Sequence, residues 1–197
     1  MRRLALLVVV PLLAACGGQR QDADEPAGTF KVEVVDAVFP HRQHIAEPVE
    51  LRVRVRNADR RTLDNVAVTV ETRPRPGNAA VAFGQGTRDP RLADSARPIW
   101  VLAEGPRGGD VASVNTWSAG RLGPGESREL VWKLVASRAG RFTLGYRVAP
   151  GLTGKARAAA GGRAAGTFTV TIADTPVPAR VGADGEVVRG DAPARQR

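Results

Sequence analysis

The chain has one cysteine, one methionine, one tyrosine and two histidines in 197 residues. A single cysteine excludes an internal disulfide, so stability has to come from a core and from backbone ladders. With only His41 and His44 and no second cysteine, the three or four ligands of an ordinary zinc site are not at hand. Asp36 and Glu47 could join the histidines, but Pro40 and Pro48 bracket the pair in a loop or at a strand edge. Both histidines read as polar loop residues, and no metal is expected. A Ser-His-Asp triad would have to draw on the same short segment, and no Gly-x-Ser-x-Gly elbow occurs. Gly84-Gln85-Gly86 lacks the later Gly-Lys-Ser/Thr of a phosphate loop, and the acid pair Asp59 and Asp64 sits at turns. The sequence predicts no catalytic residue, no cofactor and no enzyme.

Lysine is scarce as well, at Lys31, Lys133 and Lys155, and aromatics make up 5% of the chain. The formal net charge is nonetheless +9, carried almost wholly by arginine. A basic chain raises a nucleic-acid reading. So few aromatics offer no stacking platform, and nucleic acid is not an expected partner. A positive surface outside a membrane suits anionic headgroups or an anionic envelope polymer. A solvated basic surface with no partner is the simpler reading.

No apolar run is long enough to cross a bilayer as a mature helix. Leu4 to Leu13 follows Arg2 and Arg3 and ends in small residues at Leu13-Ala14-Ala15-Cys16. A positive start, a short apolar stretch and small residues at the end are the layout of a secretory signal peptide. Leu13-Ala14-Ala15-Cys16 resembles the lipobox of bacterial lipoproteins. That resemblance implies cleavage before Cys16 and a diacylglyceryl group on its thiol, which makes it the first mature residue. It implies a protein held to the outer face of the cell membrane. Two or more acyl chains anchor stably, each buried CH₂ contributing about 0.8 kcal/mol.

Four segments are expected: a signal peptide over 1–15, lipidated Cys16 and a flexible tether over 16–28, one β domain over 29–173, and a disordered tail over 174–197. The tether and the tail are polar or small and show no apolar period.

In the domain the period is two. Val49-Glu50-Leu51-Arg52-Val53-Arg54-Val55-Arg56 alternates without a fault, so one face can pack while the other meets water. Phe30 to Val34, Val66 to Val70, Leu130 to Leu134, Phe142 to Val148 and Phe168 to Ile172 repeat the pattern. Asn57-Ala58-Asp59 and Gly123-Pro124-Gly125-Glu126-Ser127 supply turns. Residues 104–110 read as a loop, 114–122 as a strand around Trp117, 150–166 as a flexible connection, and 73–97 as a long irregular insert. The predicted fold is all-β, an antiparallel two-sheet sandwich of about 7–9 strands with a long loop insert, which the resemblance below narrows to an Ig-like one.

The Leu-x-Pro-Gly-Glu-Ser turn at 122–127, the Trp132 strand and the run Gly-x-Phe-x-Leu-x-Tyr-x-Val at 140–148 resemble bacterial Ig-like and CARDB-like adhesion modules. The resemblance covers roughly residues 49–172. It implies a fold and a cell-surface habitat, and it gives Tyr146 the part of a tyrosine corner.

Two binding candidates remain. Arg52, Arg54 and Arg56 project from one strand face, where they could grip a polyanion. A solvated face neutralised by acids on neighbouring strands is the simpler reading, and such a ladder also discourages edge pairing. Trp132 and Trp117 read as core. Trp100 stands between two Gly/Pro-rich loops, where a rigid sandwich would display a binding residue, or else it too is core. The expected function is a membrane-anchored, non-enzymatic binding, adhesion or structural module of the cell envelope. Its partner would be a protein or an anionic envelope polymer, and a monomer is expected. The alternative is an accessory substrate-binding or sensory lipoprotein beside a transporter or receptor.

Overall fold

The structure, a computed structural model, describes residues 25–72, 83–85 and 98–190. The expected signal peptide over 1–15, Cys16, residues 17–24, most of the 73–97 insert and the last seven residues lie outside the described residues. β1 (Gly28–Phe30), β2 (Val32–Val38), β3 (Arg42–His44) and β4 (Pro48–Asn57) open the domain, and β5 (Ala67–Thr72) follows. β6 (Phe83–Gln85) falls inside the insert. β7 (Trp100–Arg107), β8 (Asp110–Ser113) and β9 (Thr116–Ser118) lead to the long strands β10 (Ser127–Ala136) and β11 (Gly140–Ala149). β12 (Ala156–Ala158), β13 (Ala165–Ala173), β14 (Ala179–Val181) and β15 (Val187–Arg189) complete the chain.

The alternation read in the sequence is what builds the core. On β4, Val49, Leu51, Val53 and Val55 are buried while Arg52, Arg54 and Arg56 are exposed. On β10 the inward set is Leu130, Trp132 and Leu134, and on β11 it is Phe142, Leu144 and Val148. Full burial of one such side chain contributes about 1.5–3 kcal/mol, so a face of three or four decides which way a strand turns. The inward faces meet in one cluster, with Trp117 and Trp132 edge to face at 5.3 Å.

Two sheets result. One has the order β2-β4-β10-β7-β6, the other β3-β13-β11-β5-β9-β8. Seven of these strands stand in the ABED and CFG arrangement of an Ig constant-type sandwich: β2, β4, β10 and β7 face β13, β11 and β5. The fold is therefore all-β and Ig-like. The short strands β3, β6, β8 and β9 extend the edges, β3 and β6 by parallel pairing. β8 and β9 enter between β7 and β10, taking the chain across to the second sheet and back.

Several segments differ from the sequence expectation. β7 runs on to Arg107, and β8 begins at Asp110, so 104–110 is largely strand. The strand expected over 114–122 shrinks to β9. β12 lies within 150–166 and pairs parallel with β1. The segment after 174, expected to lack structure, forms the β14–β15 hairpin, although all six of its strand residues are exposed. The domain also takes in residues assigned to the tether: Glu25 is buried and Gly28 begins β1.

The register defines two ends. Asn57 pairs with Val32, Arg56 with Ser127, and Ala67 with both Ala149 and Ser118. The entering chain at 25–31, the β4–β5 loop, the 119–126 turn and the β11–β13 connection thus share one end, called the entry end below. Gly140 pairs with Ile172, and Ala136 with Trp100, at the far end.

Candidate functional site

β4 sets the three arginines side by side because a strand sends every second residue to one face. Each finds a carboxylate. Arg52 pairs with Glu50 on its own strand, Arg54 with Glu129 of β10 at 3.2 Å, and Arg56 with Glu33 of β2 at 3.4 Å. Lys133 pairs with Glu104, and Arg107 reaches Glu50 at 3.6 Å. The face is a lattice of alternating charge, with its arginines already committed. Hydrogen bonding from Arg52 holds the Glu50 carboxyl below its ordinary value, and Glu50 in turn raises Arg52. Lys133 lowers Glu104 in the same way. β4 lies between β2 and β10, so the ladder guards no edge; the edge-protection reading fails for that reason.

Trp100 is 0% exposed and is core. Its indole Nε1–H donates to Gln43 Oε1 at 2.8 Å, and Gln43 Nε2 donates to the Pro40 carbonyl at 2.9 Å. Phe39 and Phe142 pack edge-on against its ring. β7 turns the side chain inward between the sheets, and the residues after it, expected as a loop, continue as strand. Tyr146 likewise departs from the tyrosine-corner expectation. It lies half-buried in mid-strand, opposite Gly166 and against the Phe168 ring at 5.3 Å. No hydrogen bond of its hydroxyl is found among the described residues, and burial raises its pKa.

β3 carries His44 and faces Gln43 inward. His44 Nδ1–H donates to the Thr175 carbonyl at 2.8 Å, and its backbone N–H donates to Glu47 Oε2 at 2.6 Å. Among the described residues, no three of His, Cys, Asp and Glu come together in a way that could hold a metal ion.

The entry end holds a polar construction that sequence reading missed. Glu25 Oε1 accepts from Asn65 Nδ2 at 3.2 Å and from Leu152 N–H at 2.7 Å. Its Oε2 accepts from the N–H and the hydroxyl of Thr153, at 3.0 and 2.9 Å. Gly151 lies so close that a Cβ there would stand 2.8 Å from Oε2. Ser118 Oγ–H donates to Asn65 Oδ1 at 3.1 Å, extending the network to β9. Only the acid at 25 in a polar stretch hinted at this, and Asp22 and Asp24 look the same in the sequence. Beside it, Asn57 is wholly buried, with Nδ2 donating to the Arg61 and Leu122 carbonyls. Arg61, bonding its side chain, holds Asp59 far below the usual carboxylate range, and the Lys31 N–H adds to this. Arg61 also stacks over the Phe30 ring at 4.1 Å. Glu25, Asp64, Asn65, Asp110, Ser118, Gly120 and Arg121 line a groove of about 530 Å³. Asp64 and Arg121 are paired at 3.4 Å, and the carboxylate of Glu25 is filled by donors, while exposed Asp110 on the rim has no ion pair among the described residues.

No family model matches the chain, and no curated protein matches it. Solved structures do align with it. The crystal structure of the CARDB domain of the PF1109 protein from Pyrococcus furiosus, in complex with di-metal ions, is 14% identical. It covers 74% of this chain and 94% of that one, with a TM-score of 0.45. The solution structure of the same domain is 13% identical over 73% and 94%, with a TM-score of 0.44. The PapD-like domain 7 of human CEP192 is 10% identical over 90% and 100%, with a TM-score of 0.40. At these values the likeness is one of chain trace, and the Ig-like assignment rests on the strand order itself.

Proposed function

We propose that the chain is a bacterial lipoprotein, cleaved before Cys16 and acylated on it. It carries an Ig-like sandwich on the extracytoplasmic face of the cell membrane as a non-enzymatic binding, adhesion or structural module. The observation that carries this reading is Leu13-Ala14-Ala15-Cys16 placed directly behind Arg2-Arg3 and the apolar stretch 4–13. The start of the sandwich at Glu25, a short step beyond Cys16, supports it. The test is the intact mass of detergent-extracted protein from the native host, wild type against Cys16→Ala. A diacylglyceryl gain on Cys16, with release of the variant into the medium, is the expected result. A wild-type chain without acyl mass overturns the anchor. The second reading, an accessory substrate-binding or sensory lipoprotein, is favoured by the entry-end groove, whose rim of Asp110, Asp64 and Arg121 suits a small polar ligand.

A further inference from the structure

Where the chain enters the sandwich decides which way an anchored sandwich faces. Between Cys16 and the Glu25 clasp there are nine peptide steps, a reach of about 30 Å at full extension. β4, ten residues and nine steps, is itself about 30 Å long. A chain clamped at the entry end could lay the far end on the surface that holds Cys16 only with its tether drawn straight, which costs the tether nearly all its conformational freedom. The clamp is firm: four hydrogen bonds to Glu25, the β1–β12 pairing, and the buried Phe30 ring under Arg61.

The entry end also has charge to offer. The side chains of Lys31, Arg60, Lys155 and Arg157 are exposed there and have no ion pair among the described residues. Of the acids at this end, Asp59 is paired with Arg61 and Asp64 with Arg121, whereas Glu25 and Glu126 are bonded only by neutral donors and Asp110 has no ion pair among the described residues. Arginines without an ion pair among the described residues also occur at the far end, such as Arg42 and Arg141, so free charge alone does not choose the face. The tether does.

We infer that the entry end is a lipid-facing surface on which Lys31, Arg60, Lys155 and Arg157 meet anionic headgroups while the far end points away. This rests on the lipoprotein reading. Each basic residue held near an anionic surface biases the equilibrium roughly fivefold, and salt screens it.

The test uses the mature acylated protein, beginning at Cys16, in phosphatidylcholine vesicles, with and without phosphatidylglycerol, carrying a headgroup-linked quencher. A fluorophore is placed at Ala160→Cys, in the β11–β13 connection, or at Ala139→Cys, in the far-end turn. Flotation with the vesicles reports the anchor, and quenching reports the orientation. The expected result is stronger quenching at 160 than at 139, widened severalfold by phosphatidylglycerol. Arg60→Glu with Lys155→Glu should remove the widening, while Arg42→Glu with Arg141→Glu, the same charge change at the far end, should leave it. Protein that floats with equal quenching at both sites overturns the orientation but keeps the anchor. A response confined to the far-end pair does the same. Protein that binds isolated wall polymer through Arg60 and Lys155, with no phosphatidylglycerol effect, replaces lipid by polymer as the partner. Protein that does not float overturns both readings.

Discussion

Trp100 and Gln43 show how far one hydrogen bond can fix the role of a residue. A buried indole N–H needs an acceptor, and a buried amide needs partners for both its oxygen and its nitrogen. Gln43 meets both needs by accepting from Trp100 and donating to Pro40. Removing one partner strands the other at a cost of about 1–3 kcal/mol, whereas removing both can be nearly neutral. Trp100→Phe should therefore lower unfolding stability by about 2–3 kcal/mol, loss of ring contact included. Gln43→Leu should cost a similar amount, and the double variant clearly less than the sum. Urea unfolding of the four proteins reads the cycle. Strict additivity would mean that the bond does not form, and Trp100 would again be open to a surface role. Trp132 sits in the same core with no hydrogen-bond partner for its indole nitrogen among the described residues. Trp132→Phe should show no such coupling to Gln43.

At the scale of the strand, β4 separates two kinds of residue that the sequence places next to each other. Leu51 is 0% exposed and opposite Trp132, while Arg52 looks outward to Glu50. Leu51→Ala should cost about 2–5 kcal/mol. Arg52→Gln should move the urea midpoint little, and that little should vanish in high salt, because an exposed pair is screened. The sign with pH follows from the lowered Glu50 carboxyl. Its contribution is complete above the ordinary carboxylate range and disappears as pH falls through the lowered value, in the region below about pH 4. Stability curves of wild type and Arg52→Gln should converge there; curves that stay parallel would show that the pair is not formed. β4, β10 and β11 were legible because period two writes burial directly into the chain. Their partners were not, since β1–β12, β3–β13 and β6–β7 are parallel pairs of three residues each. Three residues carry too little alternation to register, and the pairing is set by distant chain. The Arg ladder was legible as a face, but that it lies in mid-sheet with an acid for each arginine depends on register. The Glu25 clasp was invisible because its donors lie near 65 and 152.

At the scale of the molecule, the two ends of the described chain are attached very differently. The N-terminal piece contributes the carboxylate of Glu25, a parallel strand, and Phe30 at 2% exposure. The C-terminal hairpin turns all six of its strand residues to solvent, and its ladder bonds are to itself. Tolerance to truncation follows burial and backbone bonding rather than position in the sequence. A soluble form starting at residue 17 provides the reference. Deleting residues through Phe30 should destabilise it by at least about 3 kcal/mol, since a buried aromatic ring and several buried hydrogen bonds leave together. Deleting 178–197 should change stability by no more than about 0.5 kcal/mol, as expected for surface without such features. Glu25→Gln isolates the clasp. It keeps the volume but turns an amide donor toward either the Leu152 or the Thr153 N–H group, and should account for about 1–3 kcal/mol of the N-terminal loss. Urea midpoints at constant m-value read all three. Equal tolerance of both deletions would mean that the entering chain is not clamped. An anchored sandwich could then swing through any orientation, and its entry end would have no privileged contact with the membrane.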